Sequence, residues 1–365
     1  MDLHTVITTH RTHIDSALQG YFEKKHFDLR EAGSEIAEEN YMAMRNYILG
    51  KGKRLRSVMA LVGYGACGGK EEEKMLLPAL SVEFFHNASL ILDDVMDEDK
   101  ARREIPAAHQ VTANWFRKRF KRKTYRGYLF ANEESRFAVS MSTIGANMLF
   151  SLGAQTILDS SFEMEKKVKA LQVYEKTYRL VNLGQMLDMY YEHQKKVSAK
   201  QYLRMAYLKT GALLGGALKM GGVLGGGSDK QLRALEDYAL YAATTFQIQD
   251  DILDVTKGAK KGRVLGSDLR KGKTTILVLE AKEMLDNGDW GKVEKVLGNE
   301  KATKAQVNAA IKILHEKGIV ESARKLAKQN AERGKIALRR ARPTFTKEYV
   351  HILEQFADYL MERKA

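Results

Sequence analysis

Phe246-Gln247-Ile248-Gln249-Asp250-Asp251-Ile252-Leu253-Asp254 sets carboxylates at i, i+1 and i+4 within an apolar run, and Leu90-Ile91-Leu92-Asp93-Asp94-Val95-Met96-Asp97 has the same spacing. On a helix the i and i+4 members lie on one side, about one turn apart. Like charges there repel, and the apolar flanks predict largely buried helices, where an unpaired carboxylate is costly. A cation between two such trios answers both problems. Magnesium suits it, because it takes oxygen ligands and is usually held by one or two carboxylates plus substrate phosphates. If each charged residue type is ~6% of a chain, one DDxxD arises by chance in roughly 8% of chains this long and two in under ~1%, which makes the pair a signal.

The 365-residue chain contains three prolines, Pro78, Pro106 and Pro343. So few, with abundant Ala, Leu, Lys and Glu, predict an all-α chain of long helices. Helices are expected at about Met1 to Asp28, Ala32 to Gly50, Leu55 to Tyr64, Pro78 to Asp99, Phe137 to Asp159, Ser161 to Tyr191 and Ser198 to Leu224. Others are expected at Asp229 to Asp254, Thr275 to Met284, Lys304 to Gly318, Val320 to Arg342 and Phe345 to Arg363. Asp28, Ser161, Ser198, Asp229 and Thr303 stand where N-caps belong, and Gly50, Gly227 and Gly318 at plausible stops. No Pro/Ser linker or repeat divides the chain, so one domain over 1–365 is the simplest reading.

Lys+Arg minus Asp+Glu, 60 − 46, gives +14, which asks for an anionic partner: nucleic acid, a membrane surface or a phosphorylated small molecule. Seven of those charges sit in Arg117 to Arg126, with Trp115, Phe116, Phe120 and Tyr125 in or beside it. The lone cysteine, Cys67, excludes a disulfide framework and a cysteine-rich zinc site; with no signal-like apolar start, a cytoplasmic location is expected. The stretch Gly211 to Gly227 carries Lys219 and eight glycines. It reads as a helix that neighbours approach closely rather than a membrane span.

Gly50-Lys51-Gly52-Lys53-Arg54-Leu55-Arg56 is a basic, glycine-bearing loop opening a helix, an arrangement that cradles phosphate. Arg102 and Arg103 follow the first aspartate motif, and Lys209-Thr210-Gly211 and Gly266-Ser267-Asp268-Leu269-Arg270-Lys271-Gly272-Lys273 add basic clusters.

Taken together, Lys51 to Ser57, Asp93 to Asp97 with Arg102-Arg103, Gly184-Gln185-Met186-Leu187-Asp188, Lys209-Thr210-Gly211, Phe246 to Asp254 and Gly266 to Thr275 resemble the trans polyprenyl diphosphate synthases. Their pattern is GGKRxRP, DDxxD, GQxxD, KTG, FQxxDDxLD and GSDLxxGKxT, in this order, and the character is nearest to the geranylgeranyl diphosphate synthases. The resemblance implies a bundle of ten or more helices around a deep cavity and a homodimer. It implies that isopentenyl diphosphate is condensed with dimethylallyl, geranyl or farnesyl diphosphate, with three magnesium ions, or manganese in their place.

By position, Asp93, Asp97 and Asp250 would bind the metals directly, with Asp94, Asp251 and Asp254 in support. Arg102, Lys209 and Lys273 would hold the allylic diphosphate, and Lys53, Arg56, His86 and Arg103 the isopentenyl diphosphate. Thr210 and Gln247 would face the developing cation, Gln185 and Asp188 would order the site, and Arg263 stands where Lys is usual. Lys51, Ser57 and Glu104 replace glycine, proline and glycine of the pattern.

In that family, bulky residues four or five places before the first Asp stop the growing chain. Ala88 and Ser89 are small, and Phe85 lies three residues, roughly 4.5 Å, deeper, which points to a twenty-carbon product. Farnesyl or longer products, a non-catalytic subunit of a heteromeric synthase, a terpene cyclase and a basic binding module are the alternatives. A cyclase would carry an NSE-like second motif, a non-catalytic subunit usually loses aspartates, and a binding module leaves the paired aspartates unexplained. The basic segment, within an insertion near 116–133, reads first as a solvated loop or helix extension, next as a contact for anionic membrane, and last as a nucleic-acid site. His109 and His193 are read as structural or surface residues and Cys67 as packing.

Overall fold

The computed structural model describes residues 2–30, 34–102, 105–121, 124–194, 196–258 and 264–362. Arg103 and Arg263, like Arg122 and Lys123 of the basic segment, lie outside them. The elements are α1 (Leu3–Arg30), α2 (Glu35–Leu49), α3 (Leu55–Ala66), α4 (Glu72–Met96), a hairpin of β1 (Ala101–Arg102) and β2 (Ile105–Pro106), α5 (Ala108–Arg119), α6 (Glu133–Leu158) and α7 (Met164–Glu192). Then follow α8 (Ala199–Ala206), a π-helical turn (Tyr207–Gly211), α9 (Ala212–Leu224), α10 (Asp229–Asp254), α11 (Ser267–Arg270), α12 (Ile276–Met284), α13 (Asn287–Glu294), α14 (Lys304–Glu316), α15 (Ile319–Arg340) and α16 (Lys347–Glu362). The antiparallel hairpin, Ala101 opposite Pro106 and Arg102 opposite Ile105, is the only sheet among the described residues.

Ser198 and Thr303 cap their helices reciprocally with Gln201 and Gln306, and Gly50 closes α2, as expected. Other boundaries differ. Asp28 lies inside α1, Glu163 rather than Ser161 precedes α7, and Ser228 rather than Asp229 caps α10. The α4 helix begins at Glu72 and runs through Pro78, whose carbonyl accepts a bond from Ser81 Oγ (2.6 Å). Three short helices, α5, α11 and α13, form where loops were expected.

The longest packed pairs are α4 with α6, α3 with α9 and α10 with α15. Small residues on both helices permit the second: a Cβ on Gly221 of α9 would stand 1.9 Å from Ala60 O, and one on Gly63 of α3 2.2 Å from Leu218 O. Two apolar clusters result. The larger holds α1 to α4, the inner faces of α6 and α7, α9, the first half of α10 and α16. The smaller holds α8, the last turns of α10, and α11 to α15 up to Ala327.

Candidate functional site

The last turns of α4 present the first trio on different sides. Asp94 is fully buried and accepts from Tyr47 Oη (2.8 Å) and from Arg102 Nε. Asp93 is partly exposed and meets Arg102 Nη2 (3.0 Å) and Lys209 Nζ (3.1 Å). Asp97 is exposed at the helix end; burial and the Asp93 carboxylate push its carboxyl above the usual range, against Lys209 and Lys273. Burial also raises Asp94, against Arg102 and Tyr47. Lys209 also donates to Asp188 (2.6 Å), and although burial opposes its charge, Asp188 and Asp93 hold its pKa above the ordinary value.

Lys209 reaches this place because of the π-helical turn, in which Ala212 N–H bonds back to Tyr207 O and widens the helix by one residue. The turn packs on α7 at Gly184, where a Cβ would lie 2.1 Å from Lys209 N. That contact requires glycine directly before Gln185.

In the second trio, Asp251 and Asp254 build the surrounding structure. Asp251 accepts from Tyr202 Oη (2.7 Å), Ile276 N (3.0 Å) and Gln247 Nε2 (2.9 Å). Asp254 accepts from Ser267 Oγ (3.1 Å) and Asp268 N (3.0 Å), fixing the loop that carries Lys273, which lies 3.7 Å from Asp268. Asp250 is the partly exposed member. Gln247, expected to face a cation, donates its Nε2 to Asp251.

Burial pushes the Asp251 carboxyl up to about 7 from 3.8, against its three donors. A folded-state pKa raised in this way stabilises the protein fully below the unfolded value, and the contribution is lost as pH rises through the folded value. The urea midpoint of metal-free protein is therefore expected to fall between about pH 4 and about pH 7, and Asp251→Asn to flatten that slope. Equal slopes in the two proteins would exclude Asp251 as the source.

A cavity of about 220 Å³ opens beside Asp93, Arg102, Lys209 and Thr210, with Arg56, His86 and Gln185 on its wall. Arg56 Nη1 lies 3.1 Å from His86 Nε2. Lys53 reaches Tyr359 Oη of α16 at 3.1 Å. The far wall is apolar: Phe85 packs against Phe150 (5.3 Å), Tyr174 (5.5 Å) and Tyr178 (5.9 Å). Ser89 and Phe85 line the cavity, but Ala88 does not: it is fully buried in the larger cluster. Phe150 of α6 is a wall residue, backed by Tyr178 of α7 at 4.5 Å, and spacing along α4 could reveal neither because they come from other helices.

The donor chemistry fits magnesium. Asp93, Asp97 and Asp250 are hard oxygen donors left partly accessible, while no three acidic or imidazole groups among the described residues already form a metal cage. An ion held there would draw its remaining ligands from water and a phosphate-bearing substrate, as magnesium commonly does.

The polyprenyl synthetase family model matches residues 38–314. A geranylgeranyl diphosphate synthase of Methanosarcina mazei is 32% identical over 90% of this chain and 90% of its own. The crystal structure of a geranylgeranyl pyrophosphate synthetase from Pyrococcus horikoshii superposes with a TM-score of 0.81 at 29% identity, covering 99% and 98% of the two chains. A Corynebacterium glutamicum geranylgeranyl pyrophosphate synthase, solved with isoprenyl diphosphate and magnesium, shares the fold with a TM-score of 0.84 at 23% identity over both full chains.

Proposed function

The chain belongs to the polyprenyl synthetase family, and on that premise we propose that it is a short-chain trans-prenyltransferase that condenses isopentenyl diphosphate with an allylic diphosphate to make geranylgeranyl diphosphate. The observation that carries this reading is the meeting of Asp93, Arg102 and Lys209 at one end of a cavity whose other end is aromatic.

Ionisation of an allylic diphosphate leaves a pyrophosphate whose charge must be stabilised as it develops. Asp93, Asp97 and Asp250 would hold magnesium, which when bound would supply Lewis-acid stabilisation of that leaving group. Arg102, Lys209 and Lys273 add fixed positive charge, and Asp188 holds Lys209 in position. Lys53, Arg56 and His86 receive the second diphosphate. The apolar wall excludes water that would trap the cation. Proton removal falls to the pyrophosphate, which the family resemblance implies and which needs no protein base.

Incubation with magnesium, labelled isopentenyl diphosphate and each allylic primer tests the activity. Product with none of the primers would sink the reading. Chain length has its own test. Phe85→Ala removes the central ring of the aromatic wall and is expected to shift the products to longer chains, scored by chromatography against standards. An unchanged distribution would assign the floor to other residues.

A homodimer and a cytoplasmic location belong to the same proposal. The α6 helix is apolar yet only about a third of its apolar window is buried within the chain, and Ile144, Met148, Val168, Leu183, Met186 and Met189 of α6 and α7 are exposed. A second copy covers this face. Equilibrium sedimentation should give twice the chain mass, and a monomer at micromolar concentration would reject it. The charge of residues 117–126 suits contact with an anionic membrane surface.

A further inference from the structure

We infer that the α5–α6 connection is an insertion tip that docks the enzyme on anionic bilayers with its diphosphate-binding mouth turned toward the lipid surface. The inference rests on the reading of residues 117–126 as membrane-facing and adds to it an apolar anchor and an orientation.

The base of the tip is rigid. Trp115 stacks on Phe137 (5.8 Å), Phe116 packs on Phe137 and Phe120 (both 4.9 Å), and the Arg119 guanidinium lies 5.0 Å from the Trp115 ring centre. These aromatics, interleaved with basic residues in the sequence, thus pack against one another within the protein, with Phe120 half exposed at the edge. Arg117 pairs with Glu134 (3.2 Å) and Arg119 with Glu35. Lys118, Lys121 and Arg126 remain exposed.

Next to them stand Tyr128, fully exposed, and Leu129, 72% exposed. An aromatic and a branched aliphatic side chain held in water beside unpaired lysine and arginine match the two layers of an anionic membrane interface. The basic groups meet headgroup phosphates while the apolar pair enters the acyl boundary.

The packing of α4 on α6 supplies the orientation. Phe85 meets Phe150, and a Cβ on Gly153 would lie 3.2 Å from Ser81 O, so the two helices run antiparallel. Counted from the Phe85–Phe150 level, α6 extends about six residues, roughly 9 Å, beyond the end of α4. The tip therefore stands at the same end of the bundle as Asp93 and Asp97. Docking through it brings the mouth near the surface into which an isoprenoid product partitions.

The test uses the full chain and vesicles of phosphatidylcholine with and without phosphatidylserine. Cosedimentation is expected only with phosphatidylserine. Replacing Lys118, Lys121 and Arg126 by Gln should weaken it on the order of a hundredfold while leaving turnover of soluble substrates unchanged. With Tyr128→Trp in a background carrying Trp115→Phe and Trp290→Phe, which leaves position 128 as the sole tryptophan, brominated lipid should quench the fluorescence. In a Trp115→Phe variant the remaining Trp290, on α13, should stay unquenched.

Sedimentation without quenching at position 128 would leave a charge-only contact and overturn the insertion and orientation inferred here. Quenching of Trp290 equal to that at position 128 would overturn the orientation. No sedimentation with any vesicle, in a protein that still makes product, would overturn the membrane reading itself. Tighter binding to a single-stranded oligonucleotide than to vesicles, lost in the same triple variant, would reassign the tip to nucleic acid.

Discussion

Asp93→Asn should lower kcat/KM on the order of 10³- to 10⁴-fold, because it removes a carboxylate from the place where leaving-group charge is stabilised. The fold should survive. Asp93 is partly exposed and its neighbours Arg102 and Lys209 keep other acidic partners, Asp94 and Asp188. The contrast with Asp94→Asn separates two kinds of carboxylate in one motif. Asp94 is fully buried between Tyr47 and Arg102, so its loss should lower stability and raise the KM for the allylic diphosphate through a displaced Arg102. Steady-state kinetics over a magnesium series, paired with urea melts, reads both. A loss under tenfold in Asp93→Asn, or equal destabilisation by the two substitutions, would remove Asp93 from the role given to it.

The second large effect is expected at a buried ion pair under the basic loop. Arg54 sits at the N-cap of α3 in the left-handed region (φ 51°), with its side chain in the core. Its Nε donates to Asp15 (2.8 Å), Nη1 to Glu83 (3.0 Å), and Nη2 to Ile48 O (2.8 Å) and Gly50 O (3.1 Å). Ser57, standing where the family pattern has proline, lies 3.0 Å from the other Glu83 oxygen and 2.9 Å from Ala79 O. Glu83→Gln should cost about 3 kcal/mol, the low end of the usual loss when a buried charge loses a partner, because Asp15 still pairs with Arg54.

Replacing both partners with apolar residues often restores stability in buried pairs. Here Arg54→Met with Glu83→Leu should restore only part, since the Ile48 and Gly50 carbonyls would lose their donors. Because those carbonyls enter the Lys51–Lys53 turn, the variants should also raise the KM for isopentenyl diphosphate. Urea unfolding that moves by less than about 1 kcal/mol in Glu83→Gln would show that the pair is worth little here.

Much of the molecule could be read from the residues, and the failures share a cause. The aspartate spacing, the apolar flanks and the scarcity of proline led to the right class of fold, and the reciprocal caps at Ser198 and Thr303 marked true helix starts. What periodicity cannot carry is a change of hydrogen-bond register. The stretch 198–224 was expected as one helix, yet the π-helical turn at Tyr207–Gly211 interrupts it. A start at Pro78 followed the preference of proline for first turns, but the packing of Met75 into the core outweighed it and drew the helix back to Glu72. Ala88 was read, from its distance to Asp93, as a small residue that the growing chain can pass; the helix phase turns it into the core. The partners of Phe85 come from helices far away in sequence, which only the fold can bring together.

The helix α10 runs through both apolar clusters, with Leu235, Tyr238 and Ala242 in the larger and Ile248 and Ile252, on either side of Asp251, in the smaller. The aromatic wall belongs wholly to the larger cluster, and the supports of Asp251 and Asp254 largely to the smaller. The wall proposed to measure the product and the part that steadies the second set of carboxylates thus rest on separate foundations, joined by α10 and by α15, which passes from Ala323 and Ala327 in the smaller cluster to Ala331 and Leu338 in the larger. On the proposed reading, substitutions in the aromatic wall would change the measure without loosening the grip on the second set of carboxylates.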